Sequence, residues 1–111
     1  MMLSIASEFT RTPGPRSEDE GLFSGDAFLK RLLLPKFEDA VKRGEQLVVD
    51  LDGTAGYATS FLEAAFGGLA RVKGTSEVER VLDFRSEDEP FLIEEIKSYI
   101  RDVGKQAGAR A

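Results

Sequence analysis

The sequence contains no cysteine and no histidine. The chain therefore has no thiol nucleophile, no disulfide, no imidazole base and no thiolate or imidazole metal ligand. Any catalysis would depend on carboxylates, lysine, tyrosine or hydroxyl groups. No enzyme motif occurs in the chain either, so we predict no catalytic residue, no metal and no cofactor, and we expect that the protein is not an enzyme.

Clusters of basic residues and long apolar runs are also missing. The chain has 15 Lys and Arg against 20 Asp and Glu, which gives a net charge of −5. Nucleic acids and anionic membranes attract clustered lysine and arginine, so neither is an expected partner. No apolar run approaches the roughly 18 residues that a membrane span needs, and the N-terminus does not resemble a signal peptide. Together with the absence of cysteine, these features predict a cytoplasmic protein.

Short apolar runs alternate with helical patterns along the 111 residues, a length typical of one domain. Strands are predicted at residues 2–10, 46–51 and 78–84, and helices at residues 24–43, 60–72 and 90–103. This β-α-β-α-β-α order predicts a small α/β fold with a mostly parallel central sheet and helices packed on it. We expect one domain over residues 1–104 and a frayed tail over residues 105–111.

Several residues predict how these elements begin, end or bend. Ser24 is expected to cap the first helix. Pro35 should kink or split that helix, because it removes a hydrogen bond and crowds the preceding turn. Gly44 and Gly104 are expected to stop helices. The apolar run at residues 46–51 predicts a central strand covered on both faces.

In open parallel sheets, sites gather at the carboxyl ends of the strands. Here that edge includes the turns of residues 52–60 and 85–89, which we expect to lie side by side. Gly53 and Gly56 predict positive φ in the first turn, and the lysine of a phosphate-binding P-loop is missing after them. An Mg²⁺ site on the acidic residues of this edge is an alternative; these are Asp50, Asp52, Asp83, Glu87, Asp88 and Glu89.

The start of the next helix carries a pair of hydroxyl groups, Thr59 and Ser60. Ser60 and Glu63 fit a capping box, in which Ser60 accepts from the Glu63 N–H and Glu63 reaches back. The alternative is a regulatory hydroxyl, because a helix N-terminus stabilises a phosphate. Gly67 and Gly68 in the middle of this helix predict close packing of the helix on the sheet or the close approach of a partner backbone.

At these residues the sequence resembles a family of STAS-like domains of unknown function. The matching stretch reads VVDLDGTAGYATSFLEAAFGGL, and the segments SGDAF from Ser24 and FLI from Phe91 also resemble the family. More distantly, the pattern is similar to the STAS domains of sulfate transporters and anti-sigma-factor antagonists. In that comparison Thr59 and Ser60 match the hydroxyl pair, while Ala58 and Phe61 stand where the antagonists carry Asp and Gly.

The resemblance implies a small regulatory domain that binds another protein, in the antagonists a histidine-kinase-like ATPase that phosphorylates the hydroxyl. We therefore predict phosphorylation or helix capping at Ser60 and Thr59, and a partner surface made of Asp52, Gly53, Thr54, Gly56, Tyr57, Phe61 and Glu63. The departures at Ala58 and Phe61 concern the residues that the kinase would recognise. The alternative function is a small-ligand or nucleotide-binding module at the 52–60 turn.

Overall fold

A computed structural model describes the backbone of residues 1–110 and the side chains of residues 1–106. It contains the strands β1 (Met2–Ser4), β2 (Leu47–Asp50) and β3 (Leu82–Arg85). They form one parallel sheet in the order β1-β2-β3, in which Val49 lies between Leu3 and Phe84. Helices pack on this sheet, so the predicted α/β fold is confirmed.

The helical segments are α1 (Ile5–Glu8), α2 (Gly25–Phe28), π1 (Leu29–Leu33), α3 (Leu34–Arg43), α4 (Thr59–Leu62), π2 (Glu63–Gly67), α5 (Gly68–Lys73), α6 (Thr75–Val81) and α7 (Phe91–Arg110). The consecutive segments α2, π1 and α3 form one long helix, which we call the first helix. The segments α4, π2 and α5 form the site helix, as predicted to within a residue at each end. Within residues 1–110, none of the helices combines the length and apolar character that crossing a bilayer requires.

The first strand is shorter than predicted. It ends at Ser4, and residues 5–8 are helical rather than extended. The reason is local: the Ser4 hydroxyl accepts from the Ser7 N–H at 3.2 Å and caps α1. The prediction of a strand over residues 2–10 is therefore wrong beyond its first three residues.

The first helix begins as predicted and passes Pro35 without ending. The Ser24 hydroxyl accepts from the Ala27 N–H at 3.1 Å. Immediately before Pro35 the helix widens into the π1 turn, in which the Leu34 N–H bonds to the Leu29 carbonyl. A wider turn relieves crowding around the proline ring, so the helix continues to Arg43. Gly44 then adopts φ 67° and ends it, as predicted.

The two faces of the sheet differ in burial. The register aligns Leu3, Val49 and Phe84 on the face that packs on the helical core. On the other face Met2 is 51% exposed and Asp83 is also exposed. The prediction of a central strand covered on both faces is wrong for this second face, because the crossover helices contribute their core residues to the first.

The third predicted strand is helical over its first half. Gly74, at φ 90°, ends the site helix. Thr75–Val81 then forms α6, whose Val78 and Val81 are both buried on one face. Two valines three positions apart share one face of a helix but would lie on opposite faces of a strand, and the strand prediction is wrong for residues 78–81. Only Leu82–Arg85 is extended.

The last helix is longer than predicted. It runs from Phe91 to Arg110 and passes through Gly104, so the predicted stop at this glycine is wrong. Gly104 instead permits close packing, since a Cβ there would lie 3.1 Å from the Thr75 hydroxyl oxygen. The expected frayed tail extends to residue 111 and thus outside the described residues, and the single domain over residues 1–104 stays a prediction.

Glycines bring the first helix and the site helix into close contact. A Cβ on Gly25 would lie 2.5 Å from the Phe61 carbonyl oxygen, and one on Gly68 would lie 2.8 Å from the Leu29 Cδ2. The aromatic ring of Phe61 stacks on that of Phe28, with centroids 6.0 Å apart. Close packing of two helices, rather than the predicted packing of the helix on the sheet, therefore accounts for Gly68, and the approach of a partner backbone is not needed to explain it.

Candidate functional site

The carboxylate of Asp52 joins the two turns at the carboxyl ends of β2 and β3. Its Oδ1 accepts from the backbone N–H groups of Glu87 and Asp88, each at 2.9 Å. Both bonds lower the pKa of Asp52 because they stabilise its charged form, and the bond from Asp88 has the larger effect. Since β2 and β3 are neighbours in a parallel sheet, their ends meet at one edge. The prediction that the 52–60 and 85–89 turns lie side by side is confirmed.

A second set of bonds shapes the 52–60 turn itself. The Gly53 N–H donates to the Asp88 carboxylate at 3.1 Å, and the Asp52 N–H donates to the Asp50 carboxylate at 3.0 Å. Gly53 and Gly56 have φ values of 89° and 137°, as predicted. The carboxylates of this edge thus accept backbone N–H groups. Among the described residues, no group of three or more acidic side chains is arranged to hold a metal ion.

Tyr57 anchors the end of the turn to the strand. Its hydroxyl donates to the Leu51 carbonyl at 2.7 Å, and its ring lies 6.0 Å from that of Phe61. Burial raises the pKa of Tyr57 to about 12, with Thr54 acting in the opposite direction. The turn is therefore held at both ends, by Asp52 at the strand and by Tyr57 before the helix.

The helix after the turn does not contain the predicted capping box. Ala58 is the N-cap residue, with extended φ and ψ of −74° and 143°, and it offers no side-chain hydrogen bond. Thr59 and Ser60 are already helical, and their own N–H groups belong to the first turn, which has no intrahelical acceptor for them. The prediction that Ser60 caps the helix with Glu63 is wrong, because the N-cap position lies two residues before Ser60, at Ala58.

Glu63 points along the helix instead of back to its start. Its carboxylate accepts from Arg71 at 2.9 Å and from Arg16 at 2.7 Å. A Cβ on Gly67 would clash with this carboxylate, so the glycine makes room for it. The bonds to Arg71 and Arg16 lower the pKa of Glu63. Two guanidinium groups thus compete successfully with the backbone N–H that the capping box would use.

Thr59 lies beside a tyrosine of α7. Burial, followed by a hydrogen bond to Glu95, raises the pKa of Tyr99, while Thr59 acts in the opposite direction. The Tyr99 hydroxyl donates to Glu95 at 2.6 Å. The exposed Thr59 hydroxyl therefore lies at the boundary between the site helix and α7.

The predicted partner residues differ in exposure. Gly53 is exposed, whereas Asp52, Thr54, Gly56, Tyr57 and Glu63 are half-buried. Phe61 is fully buried in the core, so we remove it from the predicted partner surface. The structure adds Phe91 at the start of α7, which is 61% exposed and follows the 85–89 turn. This neighbourhood is acidic, since Arg85 is the single basic residue of the two turns.

Four surface grooves formed by the described residues lie outside the 52–60 turn, and one of them is lined by Glu63, Arg71 and Tyr99. One of about 720 Å³ lies between the α5–α6 junction and α7, near Gly74 and Val103. Others of about 260 and 350 Å³ lie along α3, α7 and β3. The 52–60 turn lines none of these four.

Sequence reasoning missed three residues of this region, Arg16, Arg71 and Tyr99. Arg71 follows Glu63 by eight positions, about two helical turns, so helical spacing carries a signal for that pair. Arg16 lies in a loop 47 positions before Glu63, and Tyr99 lies on another helix. No local pattern connects these two to the site, because only the packing of distant segments brings them there.

Comparison with known proteins supports the resemblance noted in the sequence. Searches of curated proteins and of solved structures find no match. A family model described as a STAS-like domain of unknown function matches residues 24–91, which include both turns and the whole site helix. Since this match covers more than half of the chain, the protein belongs to the family of STAS-like domains of unknown function.

Proposed function

We propose that this protein is a non-enzymatic regulatory domain that binds another protein through the 52–60 and 85–89 turns. One observation carries the proposal: the Asp52 carboxylate ties both turns into a single surface through three hydrogen bonds to Glu87 and Asp88. Such a preorganised surface loses little conformational freedom on binding, which favours association. The location of the grooves away from the turn favours a protein partner over an enclosed small ligand.

The charge and composition of this surface define the partner's chemistry. Glu87, Asp88 and Glu89 follow one another and lead to Phe91 at the start of α7. Complementary potentials steer association, so the partner should present a basic face. Exposed aromatic side chains often serve as anchors in such contacts, and Phe91 is the candidate here.

We further propose that phosphorylation of Thr59 or Ser60 regulates this contact, and that the partner is a histidine-kinase-like ATPase. The support is the position of both hydroxyls in the first turn of the site helix, where no side chain caps the backbone N–H groups. A phosphate there would accept hydrogen bonds from these N–H groups, and the helix dipole would stabilise its negative charge. Phe61, where the antagonists carry glycine, is a core residue, so recognition by the kinase depends on the exposed Ala58 and Thr59.

The experiment begins with affinity capture of the tagged protein from its native cells, followed by mass spectrometry. It identifies the partner and any phosphate on Thr59 or Ser60. Binding of the purified partner is then measured for the wild type, Phe91→Ala, Asp52→Ala, Thr59→Glu and Ser60→Glu. Removing an anchor residue should weaken binding at least tenfold, equivalent to about 1.4 kcal/mol or more.

Ser76→Glu provides a matched control, because Ser76 is an exposed hydroxyl in the first turn of α6, away from the two turns. We expect Thr59→Glu or Ser60→Glu to shift the dissociation constant about tenfold while Ser76→Glu does not. If both glutamate variants bind like the wild type, regulation by phosphorylation is refuted. If Phe91→Ala and Asp52→Ala also leave binding unchanged, the proposed surface is refuted as well.

A further inference from the structure

The two outer edges of the sheet are finished in different ways. On β1, the Met1 carbonyl accepts from the Val48 N–H, so Met2 and Ser4 direct their backbone groups away from β2. The Ser4 N–H donates to Glu8 at 2.8 Å, and Lys36 donates to the Met2 carbonyl at 3.5 Å. Lys36 and Glu8 also pair at 2.7 Å. Side chains thus close this edge against further strand pairing.

The β3 edge is open by comparison. The Leu51 N–H donates to the Arg85 carbonyl, so Arg85 faces β2 and Phe84 directs its backbone groups outward. The Phe84 N–H donates to the carboxylate of its own neighbour, Asp83, at 2.9 Å. Within residues 1–110 no fourth strand pairs with β3. An unpaired edge of this kind is a template for another strand.

A groove of about 350 Å³ follows this edge on the helical side of the sheet. Its apolar lining consists of Leu82, Phe84 and Ile100. Its charged lining consists of two acidic and two basic side chains: Glu79, Glu94, Lys97 and Arg101. The groove is therefore electrically balanced on a chain whose net charge is −5, so a second copy would meet no repulsion here.

We propose that two copies of this chain pair through their β3 edges, antiparallel about a two-fold axis at Phe84, to form a continuous six-stranded sheet. In this register Phe84 lies opposite the second copy's Phe84, and their outward N–H and carbonyl groups form the hydrogen-bonded pair. A two-fold axis makes the contact self-complementary, as is usual for homodimers. The rings of both Phe84 residues would fill the adjoining grooves.

Charge complementarity selects this register. Asp83 and Arg85 lie on the open face of the sheet, two positions apart. With Phe84 on the axis, Asp83 lies opposite the second copy's Arg85, and the symmetry repeats the pair. These are non-hydrogen-bonded positions, where opposite side chains come closest. The Phe84 N–H then donates to the second copy's Phe84 carbonyl instead of to Asp83. The Asp83 carboxylate is thereby free to pair with the second copy's Arg85.

The test is a charge swap followed by sedimentation equilibrium of the full chain. We expect the wild type to sediment with twice the mass of one chain. Asp83→Arg and Arg85→Asp each replace two attractive pairs by two repulsive ones, so each should weaken dimerisation about tenfold or more. The double variant Asp83→Arg/Arg85→Asp restores opposite charges and should recover the dimer.

Matched controls carry the same charge changes on surfaces away from β3: Asp19→Arg in the loop before the first helix, and Arg31→Asp on that helix. Both should dimerise like the wild type, and circular dichroism checks the folding of every variant. Arg85→Asp leaves the Asp83–Phe84 hydrogen bond in place and removes the exposed Arg85–Glu87 ion pair at 3.6 Å, so a loss of dimer in this variant does not come from losing the Phe84 N–H bond. A wild type that stays monomeric up to about 1 mM overturns the proposal. The proposal is also overturned if the wild type dimerises but Asp83→Arg and Arg85→Asp dimerise equally well.

Discussion

Replacing Tyr57 by phenylalanine removes one hydroxyl group from the anchor of the 52–60 turn. In the wild type this hydroxyl donates to the Leu51 carbonyl at 2.7 Å, and Leu51 is 2% exposed. The variant keeps the ring but leaves the buried carbonyl without this donor. Loss of such a bond reduces the free energy of unfolding by about 1–2 kcal/mol. The turn should also become more mobile, because Tyr57 holds its far end.

The pH dependence of stability gives a second, independent measure of the burial of the Tyr57 hydroxyl. Burial raises the pKa of Tyr57 from 10.0 to about 12. The stabilisation is therefore complete below pH 10 and is lost as the pH rises through about 12, because the unfolded chain ionises first. The difference between a pKa of 10.0 and one of about 12 corresponds to about 2.7 kcal/mol of stability. Since Tyr57 is only half-buried, solvent screening should reduce this contribution to about 1–2 kcal/mol.

Urea unfolding at several pH values between 8 and 12 tests both expectations. Tyr57→Phe should be less stable than the wild type at pH 8, and its stability should fall less steeply above pH 10. Tyr99→Phe is the control, since the Tyr99 hydroxyl bonds to Glu95 of its own helix. It should lose less stability at pH 8. A Tyr57→Phe variant with wild-type stability at pH 8 and an unchanged pH profile would refute the reasoning.

Three further predictions concern the helix contact and the charges of the site. Gly25→Ala should destabilise the protein by about 1–3 kcal/mol in urea unfolding, since its Cβ would meet the Phe61 carbonyl oxygen; wild-type stability would contradict this close approach. Asp52→Asn should reduce the hydrogen-exchange protection of the Asp88 amide. The stability of this variant should also depend less on pH near and below 3.8, where the wild type loses the contribution of the ionised Asp52. If the Asp88 amide of the variant is as protected from hydrogen exchange as that of the wild type, Asp52 does not hold the two turns together. Glu63→Gln should cost about 0.5–1 kcal/mol at low salt and less at high salt, and a salt-independent loss would rule out an ionic role.

The parts of the fold that follow from local patterns were predictable. The Ser24 cap, the stop at Gly44 and the extent of the site helix each depend on a few neighbouring residues. The meeting of the two turns was also predictable, because parallel strands place their carboxyl ends at one edge. The identity of the bond between them, from Asp52 to Glu87 and Asp88, required the structure.

The errors occurred where two local patterns compete. Leu3, Ile5 and Phe9 alternate well enough to predict a strand, yet the Ser4 hydroxyl starts a helix after three extended residues. Val78 and Val81 are β-branched, which favours a strand, but their spacing places both on one helical face, and packing on the core selects the helix. In the first case a local cap decides, and in the second tertiary burial outweighs intrinsic propensity, which spans only about 1 kcal/mol for strand formation.

The sequence alone determined the chemistry that the chain lacks, the α/β order of its elements and its resemblance to the STAS-like family, because composition and short-range periodicity encode them. Tertiary structure decided which residues act together. The Glu63 carboxylate pairs with Arg16 and Arg71 rather than with the helix start, and Phe61 is buried beneath the turn. The β3 edge is open, whereas side chains close the β1 edge. Apart from the Glu63–Arg71 pair within one helix, these outcomes depend on segments far apart in the chain, whose contacts no local pattern specifies.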